Sequence, residues 1–254
     1  MSTLHVNQIE SSQGGQIIIP SGYTLNVGGL QVNEGNLPPA PSSTGANGKA
    51  LYTDGSNLLF SVSGPSNIVT FTTNGTYNKP ANVSKIFVQV VGGGGAGVGY
   101  GESGGAGGYA EKLIDATGIT SVQVTVGQGS TQYRTYSAQA GAGASSSFGS
   151  YLTATGGNGG SQSHYHCGGI GGVGSGGDFN MYGGGGSGHQ YYGTGNGGQS
   201  YFGGGGPSGH PNGGYFAYNY RDYSAPGAGG ACGYHYYSHG ATGSNGIVVV
   251  YEYT

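Results

Sequence analysis

The chain has 254 residues and a formal net charge of -3; 62 residues are Gly and 6% are charged, against roughly 7% Gly and about 25% charged residues in average usage. With 6 Lys plus Arg in all, it lacks the cationic patch that nucleic-acid binding needs to neutralise phosphates. Gly does not recur at every third position and Pro numbers 9, which excludes collagen.

The apolar runs Ile86–Val91 and Ile247–Tyr251 fall far short of the ~20 residues that span a bilayer, so no membrane insertion is expected. The opening MSTLHVNQIE lacks the basic start and apolar stretch of a secretory signal. Cys167 and Cys232 are too few for a disulfide framework; they form one bridge or remain free thiols.

Along the chain, short β-branched runs at Gln16–Ile19 and Tyr23–Val27 are bounded by Gly and Pro-Ser-Gly breakers, which is strand-turn-strand chemistry. A Pro-rich spacer, Leu37–Ser43, then reads as an extended hinge. Beyond it, Asp54-Gly55 stands between two apolar runs and predicts a β-hairpin. Elements this small bury too little apolar surface alone, so association of three chains is expected.

Strands are predicted at 68–71, 85–91, 109–114, 121–126, 147–155 and 247–253. Ile86, Val88 and Val90 alternate onto one face, and the near-continuous β formers of GIVVVYEYT suit a strand flanked on both sides. No segment carries the 3.6-residue apolar period of a helix. The division by composition is therefore residues 1–36 as an N-terminal β anchor or shaft module, 37–64 as hinge and hairpin, and 65–254 as a glycine-rich domain.

Gly92 marks a change in composition: 11 of the 62 Gly precede it. From Gly156 to Gly246, Gly clusters alternate with Tyr- and His-rich pieces such as SHYHC, HQYY and ACGYHYYSHG. Flexible Gly linkers carry Ser rather than aromatics. Extended helices without internal hydrogen bonds, stripped of side chains, can pack side by side and bond to one another, as Gly permits at the collagen axis. The Gly clusters are expected to form a lattice of parallel and antiparallel extended helices, with the aromatic pieces as loops at its ends.

The strings FTTNGTYNKPANVSKIFVQVVGGGGAG, GGAGGYAEKLIDATG, VQVTVGQGS, ASSSFGSYLTATGGNGG and GATGSNGIVVVYEY resemble the glycine-rich domain of bacteriophage tail fibres and tail-tip adhesins, from about Thr70 to Tyr253. GKALYTDGSNLLF resembles a hairpin motif of phage fibre proteins, and MSTLHVNQIESSQGGQIIIPSG the start of marine-phage structural proteins. The resemblance implies an all-β fold, a β-sandwich carrying packed polyglycine-II helices, in which loops between the Gly runs contact the host. It implies a virion location, on a tail fibre or tail tip, with the capsid surface as the lesser alternative; the N-terminus looks like a trimeric fibre shaft or a virion anchor, so a homotrimer docked on other virion proteins is expected. The expected receptor is a bacterial surface glycan or outer-membrane protein.

The candidate receptor-binding residues are Tyr165, Tyr182, Tyr191, Tyr192, His210, Tyr215, Phe216, Tyr218, Tyr220, Tyr223, Tyr234, Tyr236 and Tyr237, together with Tyr201 and Phe202. Tyr offers a large rigid face and a hydroxyl at low entropy cost, and Gly and Ser neighbours make a loop adaptable. The alternative is that the rings pack over the Gly lattice as its only core material.

His164, His166, His235 and His239 have spacings that could hold a transition metal, but equally serve as loop contacts; no metal is expected. The pentad Gly101–Gly105 fits a nucleophile elbow and Gly92, Gly94 and Gly97 a dinucleotide fingerprint. With Gly this abundant, three-glycine patterns arise by chance, and no helix follows to supply the mechanism. A non-enzymatic adhesin is expected, or alternatively a capsid fibre or decoration protein without receptor contact.

Overall fold

The computed structural model describes residues 25–27, 30–32, 49–53, 58–62, 64–99, 101–132, 139–161, 168–188, 195–206, 225–233 and 239–254. The expected strand Gln16–Ile19 and the hinge Leu37–Ser43 lie outside these. The chain divides into two compact units, Met1–Gly64 and Pro65–Thr254.

The first unit contains two antiparallel pairs. Strands β1 (Leu25–Val27) and β2 (Leu30–Val32) pair in the register Leu25 with Val32. Strands β3 (Lys49–Thr53) and β4 (Leu58–Val62) pair from Lys49 with Val62 to Thr53 with Leu58, around the Asp54-Gly55 turn signal.

The second unit is all-β, with no helix among the described residues. One antiparallel sheet has the order β13-β8-β7-β14-β5, from strands Phe179–Met181, Tyr109–Asp115, Lys85–Val91, Ile247–Tyr253 and Asn67–Phe71. The other has the order β12-β11-β10-β9-β6, from Gly174–Ser175, Leu152–Ala154, Ser146–Phe148, Ser121–Thr125 and Gly75–Asn78.

The two sheets share one core. Ile86, Val88 and Val90 of β7, Ile114 of β8 and Val248 and Val250 of β14 pack with Val122 and Val124 of β9, Phe148 of β10 and Leu152 of β11. Strand β14 is flanked on both sides, by β7 and β5, which is why its apolar run is nearly unbroken. The buried carboxylate of Glu252 is paired. The Tyr77 hydroxyl donates to Glu252 Oε1 at 2.8 Å and Asn67 Nδ2 to Oε2 at 2.9 Å. Burial, followed by the Glu252 contact, pushes the Tyr77 pKa up.

The expected strand 147–155 is two strands, β10 and β11, because Gly149 turns the chain in the left-handed region with φ 52°. Strands β6, β12 and β13 were not legible in advance; each is held by pairing with a neighbour, as in Phe179 opposite Glu111.

The Gly-rich segments follow another rule. Along 92–98, the N–H groups of Gly92, Gly95 and Val98 donate to Gly108, Gly105 and Glu102 of segment 102–108. Those of Gly93 and Ala96 donate to Ala144 and Gly141 of segment 139–144, and those of Gly94 and Gly97 to Ser244 and Ala241 of segment 240–246. The partner thus repeats every third residue.

Segment 102–108 behaves alike: Gly105 and Gly108 donate to Asn158 and Thr155, Gly104 and Gly107 to Gly230 and Gly227, and Ser103 and Ala106 to Ser187 and Gly184. It also accepts from Gly169 and Gly172, and from Gly198. Neighbours run in both directions. Segment 102–108 bonds 92–98 in descending order, whereas Gly157 and Gly160 donate to Gly93 and Ala96 in ascending order.

Such contacts leave no room for side chains. A methyl group built on Gly94 would overlap the Ala228 carbonyl, which is backbone and cannot rotate away. Ala is accepted at chosen points, as at Ala96, Ala106 and Ala228, all fully buried.

Candidate functional site

Segments 92–98 and 102–108 are joined by a reversal at Gly99–Gly101, with Gly101 at φ 104°, a conformation Gly adopts without steric penalty. Val98 N donates to Glu102 O across it at 2.9 Å, and Gly233 N donates to Val98 O at 3.0 Å.

The ends of other segments collect around this reversal. Ser103 N donates to Ser187 O, Glu102 bridges Gly188, and Ser187 N donates to Asn196 O. Gly160 N donates to Ala96 O, Ala140 N to Gly160 O, and Gly141 N to Gln132 O. Gly240 packs against Gly97 and Val98. The described residues that bracket 133–138, 162–167, 189–194 and 234–238 therefore sit at one end of the glycine segments.

This divides the sequence candidates other than Tyr201 and Phe202 into three groups. Tyr165, Tyr191, Tyr192, Tyr234, Tyr236 and Tyr237, with His164, His166 and His235, lie outside the described residues, in stretches whose brackets meet at the reversal; His239 is the described residue that closes the last of them. His210, Tyr215, Phe216, Tyr218, Tyr220 and Tyr223 belong to 207–224, also outside the described residues; of its brackets, Gly206 accepts from Gly197 and donates to Gly229, and Ala225 donates to Gly204. Tyr182 is described and stands apart from both. It follows β13, bridges Val173 and is 74% exposed, at the far end of segment 183–188 from Gly188.

Below the reversal the side chains are buried. The Ser103 hydroxyl donates to Gly195 O at 2.7 Å and accepts from Cys232 N at 3.0 Å, and Ser103 is fully buried. Cys167 lies outside the described residues; Cys232 is buried, and its sulfur accepts the Gly195 N–H at 2.9 Å. Burial pushes its pKa up, opposite to the shift that activates a thiol.

Glu102 is 1% exposed, and among the described residues neither carboxylate oxygen has a hydrogen-bond partner of normal geometry. Burial raises its pKa, and the nearby Ser161 hydroxyl and amide offset this only in part. Among the described residues no group of three or more His, Cys, Asp or Glu could hold a metal.

A second aromatic grouping lies on the outer face of the β13-β8-β7-β14-β5 sheet. Tyr201 stacks on Tyr109 with centroids 3.6 Å apart and planes 9° from parallel; Phe202 and Phe179 meet the same ring edge-on at 6.4 and 6.5 Å. Tyr109 is buried beneath them. Its hydroxyl donates to Glu111 and accepts from Gln89 Nε2 at 2.7 Å, and Tyr251 donates to Gln89 Oε1 at 3.2 Å. Burial, then the Glu111 contact, holds the Tyr109 pKa well above the usual phenol range. Sequence reasoning missed Tyr109 and Glu111 because their roles depend on Tyr201 and Phe202 folding back across some ninety residues.

An all-β unit of two antiparallel sheets with interbonded glycine segments defines the class. Residues 70–253 match the family model of the glycine-rich domain, and the chain belongs to that family. No curated protein matches the chain.

Proposed function

We propose that this is a non-enzymatic virion protein, a trimeric tail-fibre or tail-tip adhesin that recognises a bacterial surface glycan or outer-membrane protein. Residues 1–64 trimerise and dock on other virion proteins, and residues 65–254 form a β-sandwich carrying packed polyglycine-II helices. The three-residue period of hydrogen-bond partners supports this helix type, which has 3 residues per turn and no internal hydrogen bonds.

The observation that carries the reading is the gathering of segment ends at the Gly99–Gly101 reversal. Four Tyr- and His-bearing or Arg-bearing stretches start and finish on one rigid surface, the arrangement by which loops acquire function from a scaffold. Three such surfaces per fibre raise avidity without tight single contacts.

The stacking of Tyr201 on Tyr109 favours a second reading for some of the rings. In it they are packing, and the protein is a capsid fibre or decoration protein. Binding of labelled protein to host cells, with phage adsorption scored in its presence, separates the two. The adhesin reading expects saturable binding that blocks adsorption and is abolished when 234–238 is replaced by Gly-Ser. Absence of binding to every permissive host overturns it.

A further inference from the structure

We propose that the outer face of the β13-β8-β7-β14-β5 sheet carries a separate binding site for a neutral sugar ring, built on Phe179, Phe202 and Tyr201 around the Glu111 carboxylate. This site is independent of the stretches that meet at the reversal.

The first observation is exposed aromatic surface on a fixed support. Phe179, Tyr201 and Phe202 are 48, 46 and 40% exposed, yet each is pinned by ring contact with the buried Tyr109. Rings held in place lose little entropy when a ligand lands on them. A pyranose presents a C–H face to such rings.

The second observation is the polar group in their midst. Glu111 lies in register between Phe179 of β13 and Gln89 of β7. The relay from Tyr251 through Gln89 and Tyr109 ends on its Oε2. Among the described residues none donates to Glu111 Oε1, which remains an acceptor for two adjacent sugar hydroxyls, as a carboxylate with about four lone-pair sites accommodates.

The same carboxylate selects the occupant. An apolar protein surface closing over the rings would bury this charge with Oε1 left unbonded, which is costly. A polyol satisfies it. An acidic sugar or a phosphate would meet like charge, with Lys112 already committed to Gly176 O at 2.9 Å. The next row, Leu113, Phe87, Tyr251 and Ile68, extends the apolar surface across four strands, with Leu113 and Ile68 more than half exposed, and gives an oligosaccharide room for further residues.

The test uses the full chain on an array of neutral and acidic bacterial oligosaccharides, followed by saturation-transfer NMR with methyl hexosides. The expected result is retention of neutral glycans, weakened about three- to tenfold by Phe179→Ala or Phe202→Ala. Glu111→Gln, which keeps the shape and removes the charge, should also weaken neutral binding and admit acidic glycans. Melting temperatures report whether each variant folds; Phe179 is exposed and serves if Glu111→Gln does not fold. Failure to bind any neutral glycan, or equal binding by all variants, overturns the proposal. So does a change in sedimentation coefficient in the Phe179→Ala variant, which would make the patch a contact between chains.

Discussion

The two-sheet core and the glycine segments belong to one compact unit, yet they use the side chain in opposite ways. In the core, Phe148, Leu152 and Ile86 fill the space between sheets and are almost fully buried, so stability follows apolar area and packing. Among the glycine segments the main chains touch directly, and each N–H from Gly92 to Val98 and from Ser103 to Gly108 finds a carbonyl on a neighbouring segment. Stability there follows the absence of Cβ atoms. The comparison teaches that a chain with 34% apolar residues can order a large domain by close backbone contact, provided the ordering entropy of Gly is offset by dense hydrogen bonding.

The sharpest way to break this comparison is to add one carbon. Gly94→Ala should destabilise by about 4 kcal/mol or more, the range reserved for severe overpacking, because the new methyl meets the Ala228 carbonyl. Thermal melting checks it, and a change below ~1 kcal/mol would show that the segments are loosely held. Removing carbons from the core is the converse. Phe148→Ala should cost about 3–5 kcal/mol, and following the same melt by amide exchange in 92–98 and in β7 shows whether the two regions unfold together.

Glu102→Gln gives the smallest effect and has the opposite sign. A buried carboxylate left short of hydrogen bonds costs about 1–3 kcal/mol, and the neutral amide should recover part of that. Since the folded pKa is raised, the folded chain holds its proton to higher pH than the unfolded chain. Stability is therefore full below the ordinary carboxylate range and declines as pH rises through the folded pKa. The gain from Glu102→Gln should be absent in acid and grow toward neutral pH, as denaturant titrations at several pH values would read.

What was legible in the sequence depended on side-chain pattern. Strands β7 and β14 were bounded correctly at 85–91 and 247–253 because alternating or continuous β-branched residues mark a face. Strands β12 and β13 come from Gly-Ser and Phe-Asn-Met, which carry no period and become strands only through pairing with β11 and β8. The alternation of Gly clusters and aromatic pieces was visible; the identity of each segment's neighbours was not, since a Gly run has no side chains to encode register. For the same reason Tyr182 read as one of many equivalent rings, whereas the fold sets it beside the sheet edge. Glu102 and Glu111 escaped notice because burial and relay bonding are made by residues distant in sequence.

Among the described residues, the glycine segments are fastened to each other by main-chain bonds between the segments themselves. Rewriting a stretch that leaves at the Gly99–Gly101 end keeps every one of those bonds available. Any such stretch can be lengthened or rewritten without re-registering its neighbours, and doubling its length adds only about 0.6 kcal/mol of closure entropy. Sequence diversity can accumulate at that end while the foundation beneath it stays fixed.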